Sequence, residues 1–293
     1  MTVVRTDNTM KPSFNKLSRL ATSADSKRWH FQAFKAFLGL GRPREDLREE
    51  GSEYFDIVRS SEGKCSSHTM CRFLQVDEGL SHFDCICAAC SILDDMASCL
   101  WHCERGDHSV EYLCGKVCSH SKAALCLIRN GYYDEALALC RIIGETANLL
   151  CLFCADRQEL KKWRSLEEER QYAKFKPNSV RDRLKNMGIT NPPINRERYK
   201  ELSTRSVHAS PRARPNEHND SNTPVLGSIL QEKGLKLGLS ELARLLCLAT
   251  FFGSKLLRLP DTPKQIISMH IISIAKTMNI CLDSFEFGST NSS

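Results

Sequence analysis

Apolar residues recur at helical spacing along most of this chain. Between Tyr132 and about Trp163 they fall at Ala136, Leu139, Ile142, Ile143, Leu149, Leu150, Leu152 and Phe153. A stripe that broad predicts a helix buried on most sides. Residues 239–257 predict a second apolar helix, with Ser240 as its N-cap. Further helices are expected over 26–40, where Trp29, Phe34 and Phe37 keep helical spacing, and over 43–60. Residues 68–104 read as helical with a break near Gly79, and 109–130 as a helix stopped by Asn130-Gly131. Charged helices follow at 164–175, closed by Pro177, and from Asn178 or Ser179 to Met187, ended by Gly188. Residues 195–208 read as another helix, and Pro263 opens the last one, which ends near Ile280. No strand alternation recurs between turn signals. The expected fold class is all-α: a multi-helix bundle over 26–208 with C-terminal helices of 225–282 packed on it. Residues 1–25 and 283–293 read as tails. Residues 209–224 carry three Pro and no large apolar side chain, so they read as a mobile loop.

At 293 residues the chain can bury a sizeable core. No stretch of about 18 uncharged apolar residues occurs. The best candidate, Leu137 to Cys154, carries Arg141 and Glu145, so no membrane span is expected. The N-terminus has no continuous apolar signal region, and a cytoplasmic location is expected. Net charge is +6 but uneven: residues 157–216 hold 16 Lys and Arg against 7 Asp and Glu. Such a segment attracts RNA, another phosphate-bearing ligand or an acidic partner. A solvated helix face would carry the same charges.

Fifteen Cys is a high count, and thirteen of them lie between Cys65 and Cys154. An odd number argues against a secreted disulfide framework. The flanks are helical and apolar, which favours buried thiols acting as small core residues. A zinc site built from Cys99, Cys103, Cys114 and Cys118, with His102 or His120, is the alternative.

No phosphate-binding Gly loop, dinucleotide fingerprint, nucleophile elbow or zinc-protease motif is present. No cofactor is called for. Two polar clusters remain. Arg141 and Glu145 stand at i and i+4 on the most apolar helix, where charges are costly unless paired. They fit either an ion pair that fixes register or an Arg that faces phosphate. Tyr199 and Ser203 share a face of the 195–208 helix, with His208 near its end. A His there serves as acid–base or caps its helix.

The pattern Ala-x-x-Leu-x-Arg-x-x-x-Glu at Ala136 to Glu145, followed by Tyr-x-x-x-Ser-x-x-x-x-His at Tyr199 to His208, resembles a family of bacterial helical proteins known as a domain of unknown function. That family distantly resembles the HEPN superfamily. The likeness covers roughly Cys118 to Ser210, with Tyr133, Ala136, Arg141, Glu145, Tyr199, Ser203 and His208 at matching positions. It implies a HEPN-like bundle. HEPN ribonucleases cut RNA without metal, through an Arg and a His with four to six residues between them, usually across a dimer. Here Arg205 and His208 are too close for that motif. Arg212 and His218 have its spacing but sit in the Pro-rich loop. The expected site is therefore a pocket of Arg141, Glu145, Ser203 and His208. The expected function is metal-independent RNA cleavage or RNA binding, with His208 as acid–base and Arg141 on the phosphate. The alternatives are a non-catalytic interaction module or homo-oligomer, and a zinc-binding helical protein.

Overall fold

The structure is a computed structural model that describes residues 53–75, 77–98, 107–208, 214–225 and 227–285. The expected tail at 1–25 and the helix at 26–40 lie outside these residues, as does most of the one at 43–60. Ten helices are present among the described residues, and no strand. They are α1 (Glu53–Gln75), α2 (Asp77–Ala97), α3 (Ser109–Arg129), α4 (Tyr133–Ala155), α5 (Arg157–Ser165), α6 (Glu168–Phe175), α7 (Pro177–Asn186), α8 (Arg196–Ser206), α9 (Glu232–Leu256) and α10 (Asp261–Thr277). The protein is all-α, as the hydrophobic pattern predicts.

Helices α2, α3, α4 and α9 form a four-helix core. α3 and α9 pack against each other and against both of the others. α4 also carries α7 and α8 on its outer side, and α10 packs on α2 and α9. Ile86 and Leu93 of α2, Val117 and Ile128 of α3, Ile143 and Leu150 of α4, and Leu242 and Phe252 of α9 are sealed from water. Cys114, Cys140, Cys151 and Cys247 sit among them as small apolar side chains. Burial pushes the Cys114 and Cys247 thiols up to about 12.

Polar residues decide where the helices stop. The expected single helix from Tyr132 to Trp163 breaks at Asp156, which takes extended backbone angles. Its carboxylate accepts the Gln158 N–H at 2.8 Å and caps α5. Pro177 closes nothing: it stands in the first turn of α7, where its missing N–H costs no helical bond. Gly131 and Gly188 end α3 and α7 with φ of +81° and +82°. α9 begins at Glu232, so Ser240 lies within the helix, its hydroxyl on the Leu237 carbonyl. Phe285, in the expected C-terminal tail, is buried in a short 3-10 turn against Phe252.

α4 has the length and hydropathy to cross a membrane. In the bundle it is the central helix, and of its side chains only Glu135 is exposed.

One buried ion cluster ties α8 to α9. Glu241 of α9 is 5% exposed and accepts from Arg198 at 3.0 Å and Arg244 at 2.8 Å. Burial acts to raise its carboxyl, but the two guanidinium groups outweigh burial and hold it below the usual carboxylate range. Glu241→Ala leaves two cations facing one another, and a loss of about 3–5 kcal/mol in urea unfolding is expected.

Glycines give a pair of opposite expectations. A Cβ on Gly234 would stand 2.5 Å from Cδ2 of the fully buried Tyr133 ring. Gly234→Ala should therefore destabilise by about 1–3 kcal/mol. A Cβ on Gly63 of α1 meets nothing within 4 Å. Gly63→Ala should stabilise by roughly 0.5–1 kcal/mol through helix propensity. Denaturant midpoints of the two variants beside wild type check both signs.

Candidate functional site

Four polar residues of α4 lie on one stripe: Asp134, Arg141, Glu145 and Asn148, at spacings of seven, four and three. This stripe looks toward α7, α8 and the loop chain beside them. At one end Asn148 exchanges two hydrogen bonds with the Ile194 backbone, at 2.8 and 2.9 Å. The Pro192-Pro193-Ile194 segment is thereby buried and drawn close to Gly144, whose Cβ would meet Ile194 at 3.1 Å.

In the middle of the stripe the structure brings together three of the four expected site residues. Arg141 Nη1 donates to Ser203 Oγ at 3.3 Å, and Arg141 Nε stands 3.4 Å from Glu145 Oε1. That last pair is within ion-pair distance but poorly aligned, so neither atom makes a hydrogen bond. Tyr199 lies between two guanidinium groups, with Arg181 4.1 Å and Arg141 5.2 Å from its ring centre. Arg181, from α7, is a site residue that the sequence patterns do not reveal. It is 8% exposed, and its Nη1 has no partner among the described residues.

Burial raises the Glu145 carboxyl above its ordinary range. Arg141, Arg181 and a Tyr199 hydrogen bond offset burial only in part. Burial likewise lowers Arg181. The cluster holds two arginines against one reluctant carboxylate, so it carries excess positive charge in a half-dry place.

His208, the fourth expected residue, is exposed beyond the end of α8. Its backbone N–H donates to the Ser203 carbonyl at 2.9 Å. Its imidazole bonds none of the described residues.

At the other end of the stripe a second His is buried. The part of the expected mobile loop that is described, 214–225, is anchored rather than loose. Asn216 Oδ1 accepts from the N–H groups of Tyr133 and Asp134 at 3.1 and 3.3 Å, so it caps α4 from a distant part of the chain. Asp134 returns the contact by accepting the Asn216 N–H at 2.7 Å. His218 is 5% exposed; its Nε2 stands 2.8 Å from Asp134 Oδ1, and its backbone N–H donates to Gln231 at 2.8 Å. A carboxylate only accepts, so in the neutral imidazole the proton stands on Nε2 and Nδ1 is the accepting nitrogen. Nδ1 bonds none of the described residues. His218 lines a cavity of about 420 Å³ together with Asp134, Thr204, Arg205, Arg214 and Asn222. Arg214 pairs with Glu217 at 2.7 Å, whereas exposed Arg205 makes no ion pair among the described residues. Arg212, the other member of the spacing motif, lies outside the described residues.

The basic segment is partly spent within the protein. Arg164 pairs with Asp107, Arg183 and Lys162 with Glu159, and Arg198 with Glu201 and Glu241. Lys161, Lys185, Arg196, Lys200 and Arg205 are exposed and make no ion pair among the described residues. Cys99 and Cys103 of the zinc alternative lie outside the described residues. Within them no three His, Cys, Asp or Glu side chains converge as metal ligands.

The chain matches no protein-family model, no curated protein and no solved structure.

Glu145 sets a pH dependence of known sign. A carboxyl raised in the folded protein binds its proton more tightly there than in the unfolded chain. Its stabilising share is complete below the ordinary value of 4.5 and is lost as pH rises through the raised folded value. Glu145→Gln should remove that loss. Urea midpoints from pH 4 upward are expected to fall less steeply in the variant than in wild type.

Proposed function

We propose that this chain is a HEPN-like, RNA-binding helical protein of the cytoplasm that cleaves RNA without a metal, with His218 as its acid–base group. The observation that carries the reading is the cavity in which His218, oriented by Asp134, stands with Arg205 and Arg214. The exposed cations of α5, α7 and α8 supply a track for the phosphate backbone. A ribose 2′-hydroxyl presented to His218 Nδ1 loses its proton as the oxygen attacks the adjacent phosphorus. Arg205 and Arg214 offset the charge that gathers on the phosphoryl oxygens. Asp134 holds the imidazole in the tautomer that accepts the proton and stabilises the imidazolium that results. The P–O5′ bond breaks, the 5′-oxygen takes a proton from water, and the imidazolium returns its proton to solvent, which leaves a 5′-hydroxyl end and a 2′,3′-cyclic phosphate end. DNA, which lacks the 2′-hydroxyl, is bound and not cut. The Arg141–Ser203 contact lies two turns along α4 from Asp134, about 10 Å away by helical rise. It braces α8, which carries Thr204 and Arg205 into the cavity.

A second reading, an interaction module or homo-oligomer, is favoured by Met269 and Ile272, three apart on α10 and 64% and 62% exposed.

The test is cleavage of a single-stranded RNA oligonucleotide in EDTA. Wild type is expected to cut and leave cyclic phosphate ends. His218→Ala should abolish cleavage, and Arg205→Ala should lower it about 100-fold, in line with the loss of one transition-state donor. Arg205 is exposed and anchors nothing, so its loss separates catalysis from folding. Cleavage that survives both substitutions and fails in His208→Ala would move the acid–base role to His208. No cleavage with salt-dependent binding retained would leave RNA binding alone.

A further inference from the structure

Where α4, α7 and α8 meet, buried hydrogen-bond donors outnumber acceptors. Arg181 is 8% exposed, and its Nη1 bonds none of the described residues. Arg141 Nε is buried and makes no hydrogen bond there either. Ser203 accepts from Arg141 Nη1 at 3.3 Å, which leaves its own hydroxyl hydrogen to donate. The Glu145 carboxylate stands 3.4 Å from Arg141 Nε without bonding it. Lys116 of α3 also acts on Glu145, and Asp182 and Arg196 act on Arg181. Four cations thus stand against two carboxylates, and buried donors without acceptors are costly. We propose that Arg141 and Arg181 form a binding site for a phosphate dianion, either inorganic phosphate or the terminal group of a small phosphate monoester.

Both guanidinium groups have the Tyr199 ring as a common neighbour, so at most about 9 Å separates their central carbons. One phosphate between them reaches both through charge-assisted bonds of about 2.8 Å. The cluster meets water at its Arg141–Glu145 edge, where the two side chains are 17% and 22% exposed. Glu145 is the cover of the site. An entering anion takes its place beside Arg141, and Glu145 turns toward the exposed Lys116 ammonium. Burial holds the Glu145 carboxyl above its ordinary range, so its charged form gains by moving into water. A dianion matches the surplus of two positive charges. A phosphodiester has one charge and two blocked oxygens, which makes the RNA backbone the poorer fit. The site stands apart from the His218 cavity, and the inference does not depend on the RNA reading.

The full chain is titrated calorimetrically with inorganic phosphate, glycerol phosphate and dimethyl phosphate, at constant ionic strength set by chloride. At about pH 8 the first two are dianions and the diester is not. One saturable site for inorganic phosphate is expected. Glycerol phosphate binding as well as the free ion identifies a monoester as the ligand, and weaker binding identifies inorganic phosphate. Dimethyl phosphate should bind at least about tenfold more weakly. Arg181→Met should weaken phosphate binding about tenfold or more, the cost of one charge-assisted bond. Glu145→Gln should tighten it several-fold, because the neutral amide no longer competes for Arg141. A cluster that only braces α8 gains no affinity from that change. Circular dichroism confirms that each variant is folded, and Glu145→Gln alone decides if Arg181→Met does not fold. Arg205→Ala, in the His218 cavity, should leave phosphate affinity unchanged. No saturable binding to wild type up to about 10 mM phosphate would overturn the proposal. So would affinity in Glu145→Gln no higher than wild type, or dimethyl phosphate bound as tightly as phosphate. Binding kept by folded Arg181→Met or lost in Arg205→Ala would overturn it equally.

Discussion

The central helix α4 has almost no solvent face, and most of the polar side chains it carries therefore find partners inside the bundle. Unpaired polar atoms in a low-dielectric interior are costly, and paired ones are specific. The helix meets this constraint with a single stripe. Asn148 binds the chain before α8, Arg141 and Glu145 meet α7 and α8, and Asp134 meets the loop before α9. The largely apolar remainder of α4 packs on α3 and α9. The position of α8, the fixing of the 214–225 loop and the cavity between them all follow from which side of α4 the polar residues occupy.

Much of this was legible in the chain because it is written locally. The 3.6-residue apolar period marks α3, α4 and α9, and glycine stops mark the ends of α3 and α7. The i,i+4 pairing of Arg141 with Glu145 is equally local. The rest depends on contacts between distant segments. Arg181 sits on a short charged helix whose pattern says only that it is solvated, yet the Tyr199 ring draws it inward. Residues 214–225 have no apolar side chain large enough to predict burial. Two of them, Asn216 and His218, are nevertheless buried by hydrogen bonds, His218 to Asp134 across 84 residues and Asn216 to Tyr133 across 83. No spacing rule links such pairs. Asp156 looks like one more polar residue in a helical stripe until its backbone extends and its side chain caps the next helix.

The cysteines show the same division. Their apolar, helical flanks correctly announce that most are packing residues, and burial suppresses their ionisation. Sequence spacing places Cys99 beside Cys103 and Cys114 beside Cys118, whereas the contact that forms joins the Cys118 thiol to the Cys90 carbonyl on the neighbouring helix. Neighbours along a helix share a face, but what that face meets is settled by the packing of α2 on α3.

The cap on α4 comes late in the chain, which matters during synthesis. Tyr132 offers no side chain to the first turn of α4, and Asn216 supplies it from 83 residues downstream. At typical elongation rates the ribosome takes roughly 4 to 17 s to cover that distance. For that interval the most apolar helix of the protein stands translated with its first turn open and its α9 partner not yet made. The nascent chain thus exposes its stickiest segment before it owns the means to cover it. That places the burden of early solubility on α2, α3 and the chaperones that attend the ribosome exit.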